Sequence, residues 1–167
     1  IPATFFVPAG AIGRPPEWAS GGEFDPAAEH VVTAEELKTF AANPLASFGS
    51  HGLRHADFTT LAEPEARREL AESKRILEAI LQKPVATFSF PFGRARPEHV
   101  QWAHEAGYAH VFGTSPRPIE GSIGGLLGRV RVDPWDSPLE FWLKARGAYR
   151  WLPSAIALKR GLLRRRA

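Results

Sequence analysis

The sequence has 167 residues, of which 44% are hydrophobic and 23% charged, a balance that supports one globular domain with a buried core and excludes a disordered chain. Net charge is only +3 and cysteine is absent, so disulfides and thiolate metal sites are excluded and any metal must be held by histidine, carboxylate or water. No apolar stretch approaches the roughly 20 residues that a membrane span needs, and Ile1 to Val7 lacks the basic flank of a signal peptide, so the domain reads as soluble with its compartment, cytoplasm or cell envelope, left open.

Short β-rich runs alternate with amphipathic helical stretches, the pattern of an α/β domain with a mainly parallel sheet. The first strand is expected at Ala3 to Val7. Methionine is absent and the chain opens inside this hydrophobic run, so it reads as part of a longer product. The Gly/Pro-rich stretch from Gly10 to Gly22 is long enough to be a functional loop. Thr33 with Glu36 three residues on forms a capping box, which starts a helix running to about Ala42. A second strand, Ala46 to Ser50, then delivers His51 and His55. Two neutral imidazoles at that spacing reach one divalent ion if the chain turns after the strand; two unrelated histidines are the alternative.

A longer helix follows Pro64, with Leu70, Leu77, Ile80 and Leu81 on one face, and packing alone accounts for it. A strand over Val85 to Phe90 leads into Phe90-Pro91-Phe92-Gly93, letters that an ordinary strand-to-loop turn would also use. The third helix is expected from Pro97 to a stop at Gly107. Strands over Tyr108 to Phe112 and Leu127 to Val132 follow, and Ser137-Pro138-Leu139-Glu140 reads as another capping box opening a fourth helix. His99, His104 and His110 lie on or beside the third helix and read as solvated or hydrogen-bonded side chains. Trp135, between Asp133 and Asp136, is either a sugar-stacking wall or part of a helix entry capped by Asp136 or Ser137. Residues 1–150 form the expected domain and 151–167 a basic tail. The run from Lys159 to Ala167 carries much of the basicity, so no nucleic-acid surface is implied. A solvated tail is its simplest reading, with contact to an anionic membrane or polymer as the lesser alternative.

Three blocks in register, Ile1-Pro2-Ala3-Thr4-Phe5-Phe6-Val7, Ser50-His51-Gly52-Leu53-Arg54-His55 with Leu61, and Phe90-Pro91-Phe92-Gly93, resemble the polysaccharide deacetylases of carbohydrate esterase family 4, the NodB homology domain, over Ile1 to Thr114. The segment Val132 to Pro138 with Gly147-Ala148-Tyr149 is similar to a branch found in bacterial polysaccharide gene clusters. The resemblance implies a distorted (β/α) barrel that holds one divalent metal, usually zinc with cobalt or nickel also accepted, on an Asp-His-His set. His51 and His55 match the two histidines. It further implies a hydrolase that uses metal-activated water to remove acetyl groups, mostly N-acetyl, from a sugar polymer or its lipid-linked precursor. Pro91, Phe92 and Gly93 match the substrate groove, with the Phe92 backbone N–H as oxyanion donor.

The chain departs from that pattern at three points. The family's Thr-Phe-Asp-Asp-Gly segment, which supplies the base and the carboxylate ligand, would lie upstream of Ile1, and neither Asp25 nor Asp57 has an equivalent context. The barrel is therefore expected to lack its first strand and helix, and the isolated chain to bind metal weakly, to be catalytically poor and to expose a seam prone to aggregation. Ser89 stands where many members carry the arginine that tunes the base; Arg94 or Arg129 could replace it, each against a plain surface or ion-pair role. No histidine follows His110, which leaves the proton donor unassigned. Ser89 in place of arginine and the absent acid histidine motivate, as the second reading, a catalytically silent carbohydrate-binding relative.

Overall fold

The computed structural model describes residues 2–18, 25, 29–116, 125–148 and 151. Five strands, β1 (Ala3–Val7), β2 (Ala46–Ser50), β3 (Thr87–Ser89), β4 (His110–Phe112) and β5 (Leu126–Leu127), lie side by side in chain order, and every neighbouring pair is parallel. This is the expected parallel α/β sheet. β1 and β5 stand at opposite edges and do not pair among the described residues, so barrel closure is not seen there.

The register sorts side chains onto two faces, because successive residues of a strand point to opposite sides. Val7, Ser50, Phe88 and Val111 are paired in sequence across the sheet and all are buried. On the other face Phe6 meets Phe112 edge-on, with ring centroids 5.6 Å apart. Gly49 pairs with Phe6, and an added Cβ there would collide with Thr87 Oγ1 and come within 2.7 Å of the Phe6 ring. Only glycine fits that position.

The helices are α1 (Ala34–Phe40), α2 (Glu63–Leu81), α3 (Pro97–Glu105) and α4 (Pro138–Ala145). Both halves of the Thr33 box are formed: Glu36 N–H donates to Thr33 Oγ1 at 3.2 Å and Thr33 N–H to the Glu36 carboxylate at 2.8 Å. Gly107, at φ +88°, follows α3 as its sequence anticipates. Before α4 only half of the second box forms. Glu140 N–H reaches Ser137 Oγ at 3.1 Å, while the Glu140 carboxylate turns to Lys144 at 3.3 Å.

The later strands are shorter than their sequence suggests, and the partners of their end residues explain why. Val85 N–H is taken by the Glu78 carboxylate at 2.9 Å, and Tyr108 N–H by the Ala103 carbonyl at the end of α3 at 3.1 Å. β4 stops at Phe112, so residues 128–132 have little ladder to join beyond the bond from Arg129 N–H to Ser115 O.

Under the buried face, α2 presents Ala66, Leu70, Ser73 and Leu77. They meet an aromatic cluster of Phe58, Phe88, Phe90 and Tyr108, in which edge-on and tilted rings stand 4.9 to 5.7 Å apart. Each such side chain contributes roughly 2 to 3 kcal/mol by leaving water. A polar thread crosses this core: Ser50 Oγ donates to Ser73 Oγ at 2.8 Å and Tyr108 OH to the Leu70 carbonyl at 3.0 Å. Burial pushes the Tyr108 phenol up to about 12, which keeps it a donor. α4 has no buried residue.

Candidate active site

The site begins where β2 ends. His51 N–H donates to the Val7 carbonyl at 2.9 Å, which extends the β1–β2 pairing by one bond and sets the histidine at the carboxyl edge of the sheet. Its Nδ1 lies 2.6 Å from the Ser89 carbonyl at the end of β3. Only an N–H can satisfy a carbonyl, so the proton sits on Nδ1 and Nε2 keeps its lone pair. Burial lowers the His51 pKa to about 4, helped by His55 and Arg129 and opposed by the Ser89 bond, so the ring is neutral near pH 7.

The next four residues are held from two sides. Ala9 N–H and Gly10 N–H, just past β1, donate to the carbonyls of Gly52 and Leu53 at 2.9 and 2.7 Å. From α2 the buried Glu69 carboxylate accepts Leu53 N–H at 2.7 Å, Arg54 N–H at 3.0 Å and Arg54 Nε at 2.8 Å. Gly52 turns through φ +82°, with Glu69 Oε2 only 3.2 Å from where a Cβ would stand. Gly10 is equally constrained, since a Cβ there would meet Leu53 O at 2.5 Å.

His55 adopts φ +59°, uncommon for a residue with a Cβ. Its ring stacks on Trp18 at 4.4 Å and meets His51 and Phe92 edge-on, each at 4.9 Å. Its Nδ1 is buried without a hydrogen-bond partner among the described residues, and burial lowers its pKa as well. The loop over Pro91–Gly93 is a single 3-10 turn in which Phe92 takes φ +57° and ψ 1°, leaving its ring half exposed beside His55. Gly93, at φ +66°, would drive a Cβ into Thr114 at 2.1 Å. His51, His55 and Phe92, drawn from separate blocks of sequence, thus share one rim of the sheet.

The alternatives left open by the sequence separate here. Arg94 is paired with Asp57 at 2.8 Å, and Asp57 also accepts Thr59 N–H and its hydroxyl, contacts that hold the Asp57 carboxyl below its ordinary range. Both are thereby committed to the turn that follows His55. Arg129 is half-buried, donates Nε to the Gly113 carbonyl at 3.0 Å and lies 5.5 Å over the Phe6 ring, itself 6.4 Å from His51. Ser89 Oγ is buried without a partner among the described residues.

The remaining histidines have other partners or none near the pair. Arg96 N–H donates to His99 Nδ1 at 3.1 Å, His104 Nδ1 sits 2.8 Å from the Tyr108 carbonyl, and His110 is exposed. No ring contact among the described residues joins Trp135 to the histidine pair. The described residues include no group of three or more His, Asp or Glu placed to hold a metal. The basic tail, apart from Trp151, lies outside the described residues, as do Tyr149 and most of the stretch from Trp18 to Gly22.

Two residues of the site had no place in the sequence reading. Glu69 sits between Ala66, Leu70 and Ser73 on the buried face of α2, and a carboxylate at that phase of an apolar helix is the signal that could have found it. Trp18 lies in the long Gly/Pro-rich loop already marked by its length.

Known proteins share this sequence pattern and fold. The family model for polysaccharide deacetylases matches residues 1–111. The YxkH protein of Bacillus subtilis (strain 168), assigned to the polysaccharide deacetylases, is 30% identical over 122 residues, which cover 72% of this chain and 42% of that protein. The chain therefore spans less than half the length of this curated relative. Among solved structures, BA0330 of Bacillus anthracis, assigned to the same class, superposes with a TM-score of 0.63 at 26% identity, over 71% of this chain and 38% of the other. A de-N-acetylase from Aggregatibacter actinomycetemcomitans shares the fold, with a TM-score of 0.66 at 14% identity over 86% of this chain and 64% of the other. The chain belongs to the polysaccharide deacetylase family.

Proposed function

We propose that this domain serves a metal-dependent hydrolase that removes acetyl groups, chiefly N-acetyl, from an amino-sugar polymer or its lipid-linked precursor, with His51 and His55 as two of the metal ligands. The observation that carries the reading is the His51–His55 ring pair at 4.9 Å, with His51 Nδ1 occupied by the Ser89 carbonyl. Both imidazoles are kept neutral by burial, and His55 Nδ1 is a buried nitrogen with no protein partner among the described residues. A divalent cation that accepts nitrogen ligands fits this donor set, and zinc, cobalt and nickel all meet that description. When bound, such an ion polarises the acetyl carbonyl and lowers the pKa of water near it.

The chain's own residues supply position and shape. The Ser89 carbonyl fixes the tautomer and tilt of His51, and Glu69 with the Ala9 and Gly10 amides fixes the loop that carries His55. Trp18 and Phe92 flank His55 as aromatic walls, suited to the apolar face of a pyranose ring. Pro91, Phe92 and Gly93 form the substrate side of the groove, and the Phe92 N–H is the candidate donor to a developing oxyanion. A donor of that kind contributes roughly 3 to 4 kcal/mol in acyl transfer.

The test is acetate release from a chitin oligomer and from bulk acetylated polysaccharide by the full-length protein, stripped of metal and then reloaded, beside His51→Ala and His55→Ala. Release that depends on metal and on both histidines is expected, together with a metal-induced rise in Tm that either substitution abolishes. Equal release without metal, or an unchanged Tm rise in both variants, overturns the assignment. Glycan binding without acetate release would favour a silent binding module.

A further inference from the structure

Three of the described Lys and Arg residues are drawn in from solvent: Lys74, Lys144 and Arg129. Lys74 is held by Glu78 at 2.9 Å and Lys144 by Asp136 at 2.7 Å. Arg129 has no carboxylate partner among the described residues. Its Nε is engaged by the Gly113 carbonyl at 3.0 Å, its two terminal amino groups make no hydrogen bond there, and burial alone acts on its pKa, lowering it. A guanidinium keeps its proton regardless, so its charge stands partly desolvated and unopposed. The carboxylates nearest the His51–His55 loop are taken. Glu69 accepts the amides of Leu53 and Arg54, and Asp57 holds Thr59 and Arg94.

Arg129 belongs to the candidate site by position. Gly113, which holds it, precedes Thr114, and Gly93 of the Pro91–Gly93 turn lies so close to Thr114 that no Cβ fits between them. On its other side the guanidinium lies 5.5 Å over the Phe6 ring, whose centroid is 6.4 Å from that of His51. Ser89, fully buried and paired with Phe112 in the ladder, adds a hydroxyl without a partner among the described residues.

We propose that Arg129 receives an oxyanion carried by the substrate, so that the groove takes an N-acetylated glycan with a carboxylate or phosphate close to the acetamido sugar. Arginine suits this task because its planar fork presents paired N–H donors that match two oxygens of a carboxylate or phosphate. With Nε engaged, the terminal amino groups are the pair left to do so. A neutral glycan lying across the rim would desolvate the guanidinium further without opposing its charge. The inference rests on the deacetylase reading for the acetamido group alone, and recognition of the anion is separable from the reaction.

The experiment is calorimetric binding of the full-length protein, with metal removed, to a neutral chitin oligomer and to two anionic probes. A hyaluronan oligomer places a uronate carboxylate beside each N-acetylglucosamine, and UDP-N-acetylglucosamine places a pyrophosphate there. At least one anionic probe is expected to bind roughly tenfold or more tighter than the chitin oligomer; hyaluronan alone identifies a carboxylate as the group, the nucleotide sugar alone a phosphate. Arg129→Gln is expected to abolish that ratio, and Arg129→Lys, which keeps the charge without the fork, to reduce it. In acetate release with metal restored, Arg129→Gln should raise KM for the preferred anionic probe with a smaller change in kcat. Equal affinity of the unaltered protein for every probe overturns the proposal. So does a ratio that survives Arg129→Gln, or a fall in kcat on the chitin oligomer as large as on the anionic probe with a shifted pH profile, which would give Arg129 a carboxylate of the protein as its partner. Anion-selective binding that depends on Arg129, without acetate release from any probe, supports this inference and removes the deacetylase reading.

Discussion

The loop after β2 and the segment after β5 are opposites in construction. Between Ser50 and His55 the chain is bonded to the end of β1, to α2 and to β3, with a buried carboxylate at the centre. After β5 the ladder lapses, no residue of α4 is fully buried, and its aromatic side chains face solvent. The contrast separates two requirements. A pair of rings held 4.9 Å apart, in the mutual geometry that the proposed function requires, needs a backbone with little freedom. A helix face left in solvent does not.

The largest effect expected from this contrast is that of Glu69→Ala. It strands the N–H groups of Leu53 and Arg54 in a partly buried loop, and should cost about 3 kcal/mol in denaturant unfolding, mostly through those amides, because the Arg54 side chain is exposed and its ion pair contributes little. An unchanged midpoint would break the comparison.

Acid comes next. The folded-state pKa of His51, about 4, lies below its ordinary 6.5, so between those values the unfolded chain binds a proton that the folded chain refuses. The contribution is full above pH 6.5 and is lost as pH falls towards 4, on the order of 3 kcal/mol in total. Chemical denaturation as a function of pH reads it, and His51→Gln should flatten that part of the profile. Gly52→Ala places a Cβ at φ +82° and 3.2 Å from Glu69 Oε2, and should lower stability by about 1 to 2 kcal/mol. The smallest effect belongs to the other region. Leu139→Ser should change stability by no more than about 0.5 kcal/mol, and a loss several times larger in the same denaturant assay would mean that α4 is packed after all.

What the sequence made legible follows the range of the forces involved. β1, β2 and the Thr33 box come out at their expected residues because period and capping are local. His51, His55 and Phe92 could be grouped from their motifs, and their rings do meet at one rim. β3, β4 and β5 are shorter than their local sequence suggests, since partners distant in sequence, such as the Glu78 carboxylate and the Ala103 carbonyl, claim the amides of Val85 and Tyr108. Arg94 and Arg129 were indistinguishable by spacing; the Asp57 carboxylate claims the first and leaves the second near Phe6. Glu69 is invisible to a reading of α2 as a packing helix, since its role depends on the amides of Leu53 and Arg54, 16 and 15 residues upstream, which only the tertiary fold brings to it.

Strands that lie in the sheet in the same order as in the chain also have a consequence for synthesis. Each βα unit leaves the ribosome after the neighbour on which it packs has already been made. The loop bearing both histidines can therefore be clasped by Ala9, Gly10 and Glu69 as soon as α2 has emerged, whereas the Ser89 carbonyl and the Phe92 wall must wait for β3. A nascent chain stalled between those points would present an ordered His51–His55 loop whose imidazole tautomer is still unset.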